Sequence, residues 1–287
     1  MSRFHRARGL SSWRKVALST WGNPTNPTAY GVLELDCARA LAYIAKLRET
    51  SGEKITLTHL VGKAIALSIA ALPEVNGFVS QGRLKLRETV DIFFQVAFFD
   101  DEVSETGLRE KPDWTTHRKR ANLAGAKIQS TDTKSLVEIA KELREKAEAI
   151  RADADADTIR SANKLSNLPG PIVGLVMRAA AYLHYDLGFD LTRFGMPDDG
   201  FGSCMITNIG VFGLEVGLAP LFPAGRVPLI LTLGAVRDVA TVEDGKILAK
   251  KRVCIGTAFD HRVMDGYHAG AMARHFRRLF EDPEREL

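Results

Sequence analysis

Near its carboxyl end the chain reads Phe259-Asp260-His261-Arg262-Val263-Met264-Asp265-Gly266, and these residue types could do acid–base chemistry. Imidazole is the side chain whose ordinary charge change falls near neutral pH. His261 stands where a strand-like run ends and a helix-like run begins, outside any apolar stripe. A base placed there can take a proton from a thiol or hydroxyl and return it. Asp260 and Arg262 flank the histidine, point to the opposite face of the strand and are available to other charges. A chance His-x-x-x-Asp-Gly is expected only about 0.04 times in a chain with 7 His and 24 Gly. A plainer reading stays open at this point: Asp265 caps the last helix, Gly266 permits a tight turn and His261 is incidental.

A second segment, Phe201 to Gly213, is a strand running into a glycine-punctuated turn. Thr207 could offer a hydroxyl to a developing oxyanion, and Asn208 could hold the turn. Taken alone the segment is weak, because Thr and Asn beside a Gly turn are commonplace.

These residues need elements to position them. Tyr30–Leu35 alternates as a strand, Ala38–Arg48 has helical spacing, and a helix from Thr56 or Thr58 should run to about Leu72 before Pro73 stops it. That helix is apolar nearly all round and should be buried. Val90–Phe99 reads as a buried strand, and Asp100–Asn122 as a solvated loop. Ser135–Arg151 is the clearest amphipathic helix, its stripe made by Leu136, Ala140, Leu143, Ala147 and Ile150, with Glu142 and Lys146 paired on the wet side. Ala152–Gly202 has the texture of an inserted element, and its apolar helix-like run is expected to be buried within the domain. Strands then follow at Cys204–Ile209, Val227–Val236, Val239–Leu248 (with an Asp244-Gly245 hairpin turn) and Arg252–Phe259. A last helix spans about Tyr267–Phe280.

The 287 residues, 39 Lys+Arg against 35 Asp+Glu, suit one large domain or two small ones with a substantial core. A formal charge of +4 is too small to argue for nucleic acid. No apolar run reaches the roughly 18 residues a membrane span needs, and the basic start of the chain is followed by no apolar signal region. Cys37, Cys204 and Cys254 are odd in number, widely spaced and in apolar surroundings. They read as reduced core residues, neither a disulfide framework nor a zinc site. The expectation is a soluble cytoplasmic α/β or α+β protein without a metal.

Together the two segments resemble the catalytic domain of the dihydrolipoamide acyltransferases of 2-oxo-acid dehydrogenase complexes, which carries D-H-R-x-x-D-G and a strand of the type F-T-[IL]-[ST]-N-[IL]-G. Leu72-Pro73-Glu74-Val75-Asn76, Leu123–Leu143 and Pro223–Val236 are similar to further stretches of that family. The resemblance covers about residues 10–151 and 201–287. It implies a chloramphenicol-acetyltransferase-like fold, a mixed β-sheet flanked by helices, assembled as a homotrimer with an active site at the subunit interface. By the same carry-over, His261 is the general base toward the thiol of coenzyme A or dihydrolipoamide. Thr207 from the neighbouring subunit stabilises the oxyanion, Asp265 supports the turn, and Asn208 and Gly266 are assigned to binding coenzyme A.

The expected layout is an arm over 1–28 and a catalytic domain over 29–287, with insertions at about 100–122 and 152–202. A lipoyl group would arrive in trans on a carrier protein, since the sequence shows no lipoyl domain of its own. Trimers could build a larger assembly. Two other readings stay open: a non-catalytic trimeric scaffold, and a small-molecule acetyltransferase with a hydroxyl or amine acceptor.

Overall fold

The computed structural model describes residues 26–98, 122–154, 170–191 and 199–287. Most of the expected arm and of the loop over 100–122, part of the 152–202 element and the Phe99 end of the Val90–Phe99 strand lie outside the described residues.

Seven strands make one mixed sheet in the order β1-β9-β7-β6-β4-β5, with β8 paired to β9. They are β1 (Thr28–Asp36), β4 (Ile92–Phe98), β5 (Asn122–Ile128), β6 (Cys204–Asn208), β7 (Leu229–Leu233), β8 (Arg237–Glu243) and β9 (Lys246–Asp260). β6 runs parallel to β4 and to β7, while the other pairs are antiparallel. A separate hairpin joins β2 (Gly77–Ser80) to β3 (Arg83–Leu86). Helices α1 (Ala38–Ser51), α2 (Leu57–Ala70), α3 (Leu136–Ala154), α4 (Gly170–Ala181), α5 (Gly266–Glu281) and the short α6 (Pro283–Glu286) complete the described chain.

Local chemistry explains where these helices begin. At α2, the Thr56 N–H donates to His59 Nδ1 at 3.0 Å in a reciprocal cap. At α3, Glu138 accepts from the Ser135 N–H at 2.7 Å while its own N–H donates to Ser135 Oγ at 3.2 Å. α2 is the buried helix its composition demands: Leu60, Val61 and Ala64 are fully enclosed. Gly62 lets it approach the sheet, since a Cβ there would strike the Phe94 ring. Each large side chain enclosed this way contributes about 1.5–3 kcal/mol of apolar burial. β7 is buried along its whole length, as a central strand covered on both faces should be.

Three elements differ from the sequence reading. Val239–Leu248 and Arg252–Phe259 are not two strands after a break, because β9 is continuous from Lys246 to Asp260. Its first half pairs with β8 in a ribbon exposed to water, so its polar Lys250-Lys251-Arg252 stretch looks loop-like in sequence. The hairpin turn between β8 and β9 is at Asp244-Gly245 as expected, both at positive φ (49° and 74°). The apolar α4 is not buried: Ile172, Leu175 and Val176 are 45%, 68% and 44% exposed. It is held through the turn that follows it, where Tyr185 is buried and donates from its hydroxyl to Asp199 at 3.1 Å.

Candidate active site

His261 is the first residue beyond β9. Its N–H donates to the Pro27 carbonyl at 2.9 Å, which ties the turn to the start of β1. Its side chain is exposed, and its ring stacks on Phe259 at 6.2 Å with an interplanar angle of 27°. Among the described residues, the neighbours on either side do not reach out to other charges, the partners their sequence suggested. They pair with each other: Arg262 Nε donates to Asp260 Oδ1 at 2.9 Å and Nη2 to Oδ2 at 2.6 Å. The Arg262 N–H also donates to Asp260 Oδ1, and the Val263 and Met264 N–H groups donate to the Asp260 carbonyl. A buried carboxylate thus gathers the turn around His261 in fork geometry.

Asp265 is the N-cap of α5, its Oδ1 accepting from the Tyr267 and His268 N–H groups at 2.9 and 3.2 Å. The His268 N–H and side chain, helped by the Tyr267 N–H, hold the Asp265 carboxyl below its usual range. Its observed contacts are those of a positioning residue for the turn. Gly266 opens α5 without the positive φ that a tight glycine turn would need, and among the described residues nothing lies within 4 Å of where a Cβ would stand.

Thr207 lies near the end of β6, level with Gln95 of β4 and Thr232 of β7. Asn208 holds the following turn as read from sequence: Oδ1 accepts from the Gly210 N–H at 3.0 Å, and Nδ2 donates to Thr58 Oγ1 at 3.2 Å. The register shows that this pair and His261 do not meet within one chain. Thr232 pairs with Gly256, so Thr207 is level with a point five residues short of His261 along β9. At roughly 3.3 Å per residue that is about 16 Å along the strands, with two strand spacings across the sheet besides.

Sequence reasoning missed the pocket beside the turn. It measures about 310 Å³ and is bordered by Pro27, Phe222, Arg226, Pro228, Asp260 and Arg262. Its only sequence signal is the proline- and arginine-bearing stretch ahead of β7. All three cysteines are buried and unpaired. Burial pushes the Cys37 thiol up to about 11 and that of Cys204 higher still, so neither is a thiolate nucleophile near neutrality. Among the described residues, no cluster of three or more His, Cys, Asp or Glu could hold a metal, and no helix is long and apolar enough to cross a membrane.

The fold is similar to that of solved cores of dehydrogenase multienzyme complexes. The chain aligns with the truncated catalytic core of the 2-oxoacid dehydrogenase multienzyme complex from Thermoplasma acidophilum with a TM-score of 0.56 and 16% identity, covering 97% of this chain and 99% of that one. Residues 196–287, which include Thr207, His261 and Asp265, match the family described as 2-oxoacid dehydrogenases acyltransferase (catalytic domain). The acetyltransferase component of the pyruvate dehydrogenase complex of Bacillus subtilis (strain 168) is 38% identical over 82 residues, which is 29% of this chain and 18% of the relative. The acetyltransferase component of that organism's acetoin cleaving system is 23% identical over 235 residues, 82% of this chain and 44% of the relative. The chain therefore spans less than half the length of these curated relatives. The resemblance drawn from the D-H-R-x-x-D-G and Thr-Asn segments is borne out, as is the mixed sheet flanked by helices.

Proposed function

We propose that the chain is an acyltransferase that moves an acyl group between coenzyme A and a thiol of the dihydrolipoyl type. The observation that carries this reading is the seating of His261: an exposed imidazole on a turn fixed by the Asp260–Arg262 fork and the Asp265 cap, inside the matched catalytic-domain segment.

In this mechanism His261 takes the proton of the attacking S–H. The sulfur lone pair forms a new C–S bond to the thioester carbonyl, and the electron pair of the C=O moves onto oxygen. The Thr207 hydroxyl donates to that oxyanion. Collapse re-forms the carbonyl, breaks the original C–S bond, and the departing thiolate takes the proton back from His261. A thiolate is reached at modest cost, so one imidazole suffices and no covalent enzyme intermediate is needed.

Because Thr207 and His261 are about 16 Å apart along the sheet of one chain, the Thr207 that serves a given His261 is assigned to a second copy in a homotrimer. Asn208 and Gly266 are assigned to the coenzyme side. Asn208 fixes the Thr207 turn, and the open space at Gly266 leaves room for a ligand to approach the start of α5. The acyl carrier is proposed to be a lipoyl-bearing protein, in line with the names of the relatives.

The test is release of free coenzyme A from acetyl-CoA with dihydrolipoamide as acceptor, compared with hydroxyl and amine acceptors. His261→Ala is expected to lower transfer by about 10²–10⁴-fold. Transfer that survives His261→Ala unchanged removes the reading, and tight acetyl-CoA binding without any turnover assigns the chain to a scaffold role.

A further inference from the structure

A second pocket, distinct from the one beside the fork, lies between the sheet and α5. It also measures about 310 Å³, and its walls are almost wholly apolar, among them Ile65, Leu231, Phe259, Met264, Met272 and Phe276. Short side chains line both walls: paired neighbours on the sheet and alanines on the facing helix. Gly31 of β1 is opposite Thr257 of β9, and a Cβ at Gly31 would stand only 2.9 Å from the Thr257 hydroxyl oxygen. Across the gap, one helical turn of α5 presents Ala269 and Ala273. The Thr257 hydroxyl is turned away from need, since it donates to the Gly31 carbonyl at 3.1 Å. Among the described residues, no charged side chain lines the space.

Two features separate this pocket from an ordinary packing defect. Protein interiors are close-packed, and their voids are normally smaller than this. It is about twice the roughly 150 Å³ apolar cavity that takes a benzene ring, and lies in the range of small-ligand sites. Its rim also reaches solvent at Tyr30 and Val32, which are 48% and 54% exposed. The second feature is its position. Phe259 and Met264, two of its walls, bracket His261 in the chain, and the Phe259 ring stacks on His261 while lining the pocket.

We propose that this pocket is an acyl-chain site, taking the medium-length alkyl tail of the thioester whose carbonyl lies at His261. The identification of the tail as part of a transferred acyl group rests on the acyltransferase reading, whereas alkyl binding does not. An alkyl chain fits where a polar ligand would not, because the lining offers it no charge and no unsatisfied donor. Chain-length preference is then set by how far the tail extends past Phe259 toward Ala269 and Ala273.

The experiment pairs binding with transfer on the full chain. Decanoate binding is measured by calorimetry, and the ratio of octanoyl to acetyl transfer is measured with the two acyl-CoA thioesters. Both are repeated on Ala273→Phe, which fills the pocket, and on Ala273→Leu, which fills less of it and stands in if the larger variant does not fold. Circular dichroism reports the fold. Wild-type protein is expected to bind decanoate. Ala273→Phe is expected to weaken that binding at least tenfold and to lower the octanoyl-to-acetyl ratio at least tenfold, with Ala273→Leu between. Absence of decanoate binding to folded wild type, or a binding constant indifferent to both variants, overturns the pocket. If decanoate binds and the variants weaken it but no acyl transfer is found, the pocket stands and the acyltransferase reading falls. If transfer is found with an unchanged chain-length ratio in the folded variants, the acyl-chain site falls and the acyltransferase reading stands.

Discussion

Thr207 and His261 belong to one sheet but to different levels of it. Thr207 pairs with Thr232, Thr232 with Gly256, and His261 lies five residues further along β9. Two residues that the sequence resemblance pairs are therefore far apart in one chain, and a site that needs both must borrow one of them from another copy. Small shifts of side chains cannot close about 16 Å, so the claim is geometric and does not depend on rotamers.

The Asp265 cap should govern stability more than chemistry. Its carboxylate accepts from the Tyr267 and His268 N–H groups at the start of α5. Asp265→Ala is expected to lower the thermal midpoint by roughly 2–4 °C. Asp265→Asn, which caps about as well, is expected to stay near wild type. A thermal melt followed by circular dichroism checks the pair, and equal losses in both variants would show that the charge, not the cap, matters.

Stability should fall with acid because of His59. The ring is buried and its pKa is pushed down to about 4, mainly by burial and then by the charge of Arg48. Its Nδ1 accepts the Thr56 N–H, which requires the unprotonated ring. An unfolded histidine titrates near 6.5, so between pH 6.5 and 4 the unfolded chain binds more protons. The contribution of His59 is fully present above pH 6.5 and is lost as the pH falls through 4. The gap amounts to about 3 kcal/mol. Urea unfolding at stepped pH should show wild type losing about that much more stability than His59→Gln between pH 7 and pH 4.

Much of this architecture is legible in the residues themselves. The capping pattern Ser135-x-x-Glu138, the all-round apolar α2 and the Asp244-Gly245 turn each announce a local structure that the fold keeps. β2 and β3 are not announced: they are four residues each, and their turn is Gln81-Gly82 at φ 50° and 72°, without the Asn-Gly or Asp-Gly signal. β5 escapes notice because Leu123-Ala124-Gly125-Ala126 carries no β-branched residue before Ile128. The pairing of His261 with Thr207 is what the motif resemblance implies. Their separation along the sheet is not, because register is a property of long-range pairing. The Asp260–Arg262 fork also eludes a strand-face argument, since both residues sit at the strand's end, where the chain turns and alternation stops applying.

The turn that follows α4 is tied through the Tyr185 hydroxyl to a buried ion pair. Arg87 Nη2 donates to Asp199 Oδ1 at 2.9 Å and its Nε pairs with Oδ2 at 2.5 Å, with the Arg87 side chain only 7% exposed. Burial raises the Asp199 pKa, but the hydrogen bonds and charge of Arg87, with Lys127 and Tyr185, outweigh it and leave the carboxyl below its usual range. Among the described residues, Arg87→Met leaves the Asp199 carboxylate with only the Tyr185 hydroxyl and the charge of Lys127, so it should cost about 3 kcal/mol of stability. Limited proteolysis should then cut within residues 170–191 faster than in wild type, and an unchanged cleavage rate would mean that α4 is held by other contacts.

The shared site is tested most directly by complementation. His261→Ala and Thr207→Ala chains are each purified, shown to be impaired in acetyl transfer to dihydrolipoamide, then unfolded together, refolded and assayed as a mixture. If His261 of one copy works with Thr207 of another, random mixing regenerates intact sites in roughly a quarter of positions. Activity should rise well above the mean of the two parents. A mixture whose activity merely equals that mean, in refolded and demonstrably mixed oligomers, contradicts a site built from His261 and Thr207 of different chains.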